Sequence, residues 1–366
     1  MVINFVFGAP SLYPMGGHKV VFEYANFLCG TGNKVNLIYV LNDPLKSQKK
    51  RIRSAYVRLM ILKTIINIKP KWFHLDKTIH TYYFLSADDP CFPDADVTIA
   101  TSIKTPYMVF NLPESKGKKV YFIQGYENWD NTDDYVNKSY SLGMKNITIA
   151  NWLSSIVDKY SREKSLCIPD GIDSTVFKNK SGMQRTSHSI AFHYRKDYHK
   201  GCDIALEVIK KLYQEYPDLK VEVVTNEKKY PPFPGYCTVH QRISAKKVAD
   251  INNSVEVFLC TTRVEGYGLP GLEAMACGAV LVSTSYLGVL EYAKDYDENT
   301  ETGNSLLAPV DDVEQLVSNV ERIFNDDHLR QKLSDRGMRT ATEFTVNNSA
   351  AKFESILIDM INTDGI

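Results

Sequence analysis

Apolar residues fall into short β-rich runs that alternate with stretches of helical period. The first run, Val2–Phe7, ends at Gly8 and leads into a turn-prone loop through Pro10, Pro14, Gly16 and Gly17. Val20, Val21, Tyr24, Phe27 and Leu28 then recur at helical spacing until Gly30 and Gly32 close the pattern. Val35–Leu41 predicts the second strand. This β-loop-α-β order with a glycine-bearing first loop opens a doubly wound nucleotide-binding unit. Further strands are expected at Val97–Ala100, Lys119–Gln124 and Asn146–Ala150, with a helix over Trp152–Tyr160. Cys167 through Asp173 reads as a strand end running into a turn.

The series then restarts. Strands are expected at Ser189–Tyr194, Leu219–Thr225, Cys237–Val239, Val255–Cys260 and Ala279–Ser283. Helices are expected over Asp203–Tyr216, Ala245–Asn252, Leu272–Cys277, Val313–Asn325, His328–Phe344 and Asn347–Ile361. Two successive β/α series predict an α/β chain of two Rossmann-like domains with parallel sheets, residues 1–168 and 169–345, followed by a last helix within 346–366.

Composition narrows the function. The 366 residues suffice for two cores, and 44% hydrophobic with 23% charged residues is ordinary for globular chains. Lys plus Arg equals Asp plus Glu, 43 each, which argues against a whole-surface nucleic-acid binder. Seven scattered cysteines and eight histidines form no Cys-x-x-Cys or His-Glu-x-x-His pattern, so neither a disulfide framework nor a metal site is expected. The N-terminus lacks a basic, apolar signal segment and no 18-residue apolar run occurs, so a cytoplasmic protein, or one lying on the inner face of a membrane, is expected.

The sharpest chemistry lies in Glu265-Gly266-Tyr267-Gly268-Leu269-Pro270-Gly271-Leu272-Glu273-Ala-Met-Ala-Cys-Gly278. A buried strand feeds a glycine loop, Pro270 suits a first helical turn, and Gly278 suits the position after the last. A helix spanning about 270–277 would then start at the C-terminal edge of a parallel sheet, where N–H groups and the helix dipole favour phosphate. Glu273 is expected in the first turn of that helix. Two carboxylates beside an anion site make sense as acceptors for ribose or sugar hydroxyls; a capping box would account for Glu273 but not for Glu265 or the glycines. Arg195 and Lys200, followed by Gly201, stand directly after the strand Ser189–Tyr194 and suit a diphosphate. As a lone segment they would read as a solvated loop. The pair Gly16-Gly17 lets backbone approach a phosphate or sugar, although tight turns also use Gly-Gly.

Together these segments resemble the retaining glycosyltransferases of family 4, which have the GT-B fold. The resemblance rests on Gly16-Gly17, Ile168-Pro169-Asp170-Gly171-Ile172-Asp173 with Phe177, Arg195 with Lys200-Gly201, and Glu265 through Gly278. Gly303 through Asp312 and Glu343-Phe344-Thr345 extend it to nearly the whole chain. It implies an N-terminal domain that binds the acceptor, a C-terminal domain that binds a sugar nucleotide, and a final helix that packs back on the N-terminal domain. It implies that Arg195 and Lys200 hold the diphosphate, Glu273 takes the ribose hydroxyls, Glu265 contacts the donor sugar, and Tyr267–Gly271 presents backbone N–H groups. No metal cofactor is implied. Many relatives carry a histidine near the donor hexose; here Gln124, Tyr126 and Glu127 occupy the comparable strand end. A Gln-x-Tyr-Glu segment is similar to that of some rhamnosyltransferases of bacterial surface polysaccharide synthesis, so a deoxyhexose donor is among the expectations.

Residues 44–75 contain nine bases and no acid, with Ile52, Ala55, Tyr56, Leu59, Leu62 and Ile66 at helical spacing. Lys49, Lys50, Arg51, Arg53 and Arg58 are candidates for contact with an anionic membrane surface, which would suit a saccharide acceptor linked to a lipid diphosphate. The same pattern fits a core-facing helix with a solvated outer side. The leading expectation is thus a hexosyltransferase that uses a nucleoside diphosphate sugar, with a saccharide or lipid-linked saccharide as acceptor and no nucleic-acid partner. A sugar-nucleotide epimerase of the same fold is the alternative, a non-catalytic subunit the third reading, and a dinucleotide-dependent dehydrogenase the least favoured, since the first loop lacks Gly-x-Gly-x-x-Gly.

Overall fold

Thirteen strands and eleven α-helices alternate along the described residues of the computed structural model, which are 1–11, 13–41, 50–129, 131–180 and 182–362. For 50–57 only the backbone is described. The chain divides into two units: Met1–Pro169 with Val346–Ile366, and Asp170–Thr345.

The first unit runs β1 (Val2–Phe7), α1 (Gly16–Gly30), β2 (Lys34–Val40), α2 (Lys50–Ile65), β3 (His80–Phe84), β4 (Val97–Ala100), α3 (Pro106–Phe110), β5 (Lys118–Ile123), α4 (Asp133–Tyr140), β6 (Lys145–Thr148), α5 (Asn151–Val157) and β7 (Leu166–Cys167). The second runs β8 (Ser189–Tyr194), α6 (Cys202–Glu215), β9 (Lys220–Thr225), β10 (Cys237–Gln241), α7 (Ala245–Ser254), β11 (Val257–Cys260), α8 (Leu269–Ala276), β12 (Val280–Thr284), β13 (Leu306–Ala308), α9 (Val313–Asn325) and α10 (Asp327–Glu343). The last helix, α11 (Val346–Asn362), returns to the first unit.

Each unit holds one parallel sheet. The strand order is β3-β2-β1-β4-β5-β6-β7 in the first and β10-β9-β8-β11-β12-β13 in the second. Helices cover both faces, so central strands such as Val97–Ala100 and Val280–Thr284 are buried at every position and read as unbroken apolar or small-residue runs. Strand order reverses between β1 and β4 and again between β8 and β11. At such a switch point neighbouring loops diverge and leave a crevice beyond the carboxyl ends of the strands. On topology alone, the loops after β1 and β8 therefore border the ligand crevice of each unit.

Register in the first sheet is reinforced by a buried amide pair. Asn36 Nδ2 donates to Asn4 Oδ1 at 2.8 Å, and Asn4 Nδ2 donates to the Pro93 carbonyl at 2.9 Å. A one-residue slip would strand these amides in the core. Helix α11 docks through Phe353, which is fully buried against Phe5, Tyr24 and Phe122 with ring centroids 6.3, 5.3 and 5.3 Å away. Glu354 accepts from Thr31 Oγ1 at 2.6 Å and Asn33 Nδ2 at 2.5 Å, which pins the same helix to the end of α1.

Candidate functional site

In the second unit the loops after β8 and β11 meet across the switch point. The segment after β8 makes a single 3₁₀ turn, Tyr198–Lys200, and ends at Gly201 with φ +59° and ψ +27°. That left-handed conformation disfavours a side chain. Space forbids one as well: a Cβ on Gly201 would lie 1.8 Å from the Thr261 carbonyl oxygen. The two loops are thus in backbone contact, and Thr261 Oγ1 donates to the Gly201 carbonyl at 2.7 Å.

This contact brings Lys200 and Glu265 together. Lys200 Nζ lies 2.6 Å from Glu265 Oε1, and the two side chains are 30% and 26% exposed. A partly exposed pair adds little stability. Its effect is positional: a cation and a carboxylate are held at one point of the crevice. Arg195, just past the end of β8, donates from Nη1 to the Tyr194 carbonyl at 2.8 Å. Burial pulls its pKa below the usual arginine value, against the opposing pull of Glu227, Cys202 and Glu265. A desolvated guanidinium of this kind is complemented by an arriving anion. His193, on β8, is pushed down to about 3 by burial first and then by Arg195 and Lys200, so its imidazole is neutral.

Helix α8 starts at this edge. Gly268 is its N-cap with φ +97°, where a Cβ would stand 1.9 Å from Tyr286 Oη, and Tyr292 Oη donates to the Gly268 carbonyl at 2.6 Å. Two buried tyrosines thereby shape the turn from which Leu269, Pro270 and Gly271 begin the helix. Gly266 and the buried Tyr267 lead into it. Glu273 is 7% exposed and is the fifth residue of α8, one residue further in than a helix starting at 270 would place it. The helix begins at Leu269, and no acid stands in its first turn. A capping-box role for Glu273 is thereby removed.

Sequence reasoning missed Arg263. It leaves β11 and forks onto Asp203 at 2.9 and 2.7 Å, the first turn of α6, while Nε donates to Asp311 at 2.7 Å. It also donates to the Tyr198 carbonyl at 2.8 Å and lies 4.0 Å from the centroid of that ring. Its hydrogen bond to Asp203 raises the guanidinium pKa and lowers that of Asp203. Arg263 therefore clamps the turn carrying Lys200 to the loop carrying Glu265. The signal was invisible locally because its partners stand 60 and 48 residues away.

The first unit has its own crevice edge. Gly16 opens α1 and Gly17 follows; a Cβ on Gly17 would lie 3.3 Å from Gln124 Oε1, so the glycine lets the β5 terminus approach the β1 loop. Gln124 Nε2 donates to the Thr101 carbonyl at 3.2 Å, whereas the buried Oε1 has no hydrogen-bond partner among the described residues. Glu127 accepts from the Ile103 N–H at 2.5 Å, and burial raises its carboxyl pKa against that bond. Tyr126 Oη donates to Asn137 Oδ1 at 3.2 Å. Glu127 and Tyr126 are thus tied to protein partners, and Gln124 offers the open acceptor. Of the membrane candidates, Lys49 lies outside the described residues, as do the side chains of Lys50, Arg51 and Arg53; Arg58 is exposed on α2. Among the described residues no group of three or more His, Cys, Asp or Glu converges as a metal cage, and no helix is long and apolar enough to cross a membrane.

Residues 173–340 match the family model described as glycosyl transferases group 1. An uncharacterized glycosyltransferase of Methanocaldococcus jannaschii is 21% identical over 209 residues, 55% of each chain. The glycogen synthase of Clostridium perfringens is 23% identical over 275 residues, 72% of this chain and 54% of that enzyme. The chain thus spans about half the length of the curated relatives it matches. Among solved structures, sucrose-phosphate synthase from Thermosynechococcus elongatus superposes with a TM-score of 0.77 at 12% identity, covering 99% of both chains. The Anabaena protein HepE, bound to UDP and glucose, superposes at 0.71 with 12% identity, covering 98% of this chain and 100% of that one. None of these findings supports the epimerase alternative. By fold the chain is a GT-B protein, and the match to the glycosyl transferases group 1 model lies within its second unit.

Proposed function

We propose that the protein is a glycosyltransferase that moves a hexose or deoxyhexose from a nucleoside diphosphate sugar to a saccharide or lipid-linked saccharide, with retention of anomeric configuration. The observation that carries the reading is the convergence of Arg195, Lys200, Glu265 and the α8 N-terminus at the β8/β11 switch point of the group 1 domain. Solved structures of the same fold contain UDP-glucose, or UDP together with glucose, which supports a nucleoside diphosphate sugar as donor.

In this reading the donor's diphosphate takes Lys200 away from Glu265. The freed carboxylate then accepts hydroxyls of the donor sugar. Arg195 meets the phosphate from a desolvated position, where its charge acts more strongly than in water. The bond from the anomeric carbon to the β-phosphate oxygen breaks, and the acceptor oxygen bonds to the same carbon from the same face. The acceptor proton passes to the leaving phosphate, so no protein base is required. Negative charge grows on the diphosphate as the bond lengthens, and fixed cations stabilise that charge more in the transition state than in the ground state. Glu273 accepts from ribose hydroxyls. In the first unit the unpartnered Gln124 Oε1 accepts from a hydroxyl of the acceptor saccharide.

A panel of sugar nucleotides screened by thermal shift tests the donor class, because a ligand that binds only the folded state raises the melting temperature. The donor should also be consumed with release of its nucleoside diphosphate. Arg195→Ala and Lys200→Ala should each lower turnover on the order of 10²–10³. Near-normal turnover in either variant would sink the assignment.

A further inference from the structure

We infer that the outer face of α2 is a shallow interfacial anchor for anionic lipid bilayers. The helix is fastened to the sheet edge by its less apolar side. Met60 is 2% exposed, Thr64 Oγ1 accepts from the Tyr83 N–H at 3.0 Å, and Lys63 Nζ lies 5.6 Å from the Tyr83 ring centroid. At about 100° per residue, the opposite arc holds Arg58, Leu59, Ile61, Leu62, Ile65 and Ile66. The five aliphatic residues on that arc are 43%, 53%, 51%, 71% and 56% exposed. Ile68, just past the helix, is 38% exposed and extends the patch. The ordinary rule for a helix on a globular domain, apolar inward and polar outward, is reversed here.

An apolar arc of this kind is stable only when covered. Charge decides by what. Residues 44–75 carry nine bases and no acid within a chain of zero net charge. A second copy docked across a two-fold axis would set this basic segment against itself, with no acid to neutralise either side. An anionic headgroup layer supplies the missing charge, and the acyl boundary beneath it accepts Ile61, Ile65, Leu62 and Ile66. A base-rich, acid-free segment that carries an aliphatic arc therefore matches a lipid surface better than it matches another copy of the chain.

The test is co-sedimentation of the full chain with vesicles of phosphatidylglycerol and phosphatidylcholine, against vesicles of phosphatidylcholine alone, at low and high salt. The wild type should pellet with anionic vesicles at low salt and lose about tenfold or more of its partition at roughly 0.5 M salt, where screening falls within a few ångströms. Ile61→Asp with Ile65→Asp should lower the partition at least tenfold. Both positions are exposed, so the melting temperature should stay within about 3 °C of wild type. Were the double variant to unfold, Arg58→Glu would serve in its place, with a several-fold loss expected at low salt. A wild type that remains in the supernatant, equal binding to neutral vesicles, or a folded double variant that binds unchanged would each overturn the inference. So would a wild-type dimer by light scattering that the double variant converts to monomer while neither form binds vesicles.

Discussion

Gly201→Ala is the most discriminating single substitution, because two separable penalties meet there. The first is conformational: an alanine held at φ +59° costs about 1–2 kcal/mol. The second is steric. The new Cβ would begin 1.8 Å from the Thr261 carbonyl oxygen, so the β11 loop must retreat by about 1.6 Å to restore ordinary contact. That retreat breaks the 2.7 Å bond from Thr261 Oγ1 to the Gly201 carbonyl, and a buried pair left unsatisfied costs a further 1–3 kcal/mol or so. The sum is roughly 2–5 kcal/mol. Gly182 supplies the control within the same unit: its φ is +81°, it is exposed, and nothing lies within 4 Å of the place a Cβ would take. Gly182→Ala should therefore show strain alone, about 1–2 kcal/mol. Urea titration of both variants, monitored through the same unfolding transition, compares the two directly. The retreat would also part Lys200 from Glu265, and a displacement of an ångström or more at a positioning contact lowers transfer by about 10². If Gly201→Ala destabilised no more than Gly182→Ala and kept its transfer rate, the backbone contact between the two loops would not be organising the site.

Further expectations follow from the same crevice. Glu273→Gln should mainly weaken affinity for the bare nucleoside diphosphate, whereas Glu265→Gln should mainly damage transfer; isothermal titration that found equal losses in both would refute the division. Transfer should survive exhaustive chelation, and activity abolished by EDTA and restored by Mg²⁺ or Mn²⁺ would contradict a mechanism that relies on Arg195 and Lys200. His193 is pushed down to about 3 in the folded protein, while the unfolded chain takes up its proton near 6.5. Its contribution is present above pH 6.5 and is lost as pH falls toward 3, at about 1.4 kcal/mol per pH unit. His193→Asn should flatten that limb of the stability profile by about 2 kcal/mol between roughly pH 7 and 5, and parallel profiles would show that the ring is already charged in the fold.

Much of the architecture was legible because buried parallel strands write themselves as apolar runs. The strands Val2–Phe7, Val97–Ala100 and Ser189–Tyr194 coincide with the runs read from the chain. Edge elements were not legible. His80–Phe84 mixes histidine, threonine and tyrosines, since an edge strand is covered on fewer sides and its pattern relaxes. Leu306–Ala308 is too short to show a period, and α4 buries only Val136, Ser139 and Tyr140. In the candidate site, the residues after strands were visible from the placement of glycines and charges. Arg263 was not, because its role exists only once Asp203 and Asp311 are folded beside it. The outward turn of Leu59, Leu62 and Ile66 was equally hidden, since periodicity fixes which residues share a face but not which way the face looks.

The return of α11 to the first unit has a consequence for biogenesis. On the ribosome, β1 to β7 emerge early, but the slot between Phe5, Tyr24 and Phe122 waits for Phe353 until the whole second unit has been made. At roughly 5–20 residues per second, the interval between Cys167 and Phe353 is about ten to forty seconds. Throughout it, the nascent first unit exposes an aromatic groove of its own core. That groove is a site for holding chaperones to occupy, and a chain cut short before Val346 would carry it permanently, so loss of the last helix should strike the solubility of the part of the protein made first.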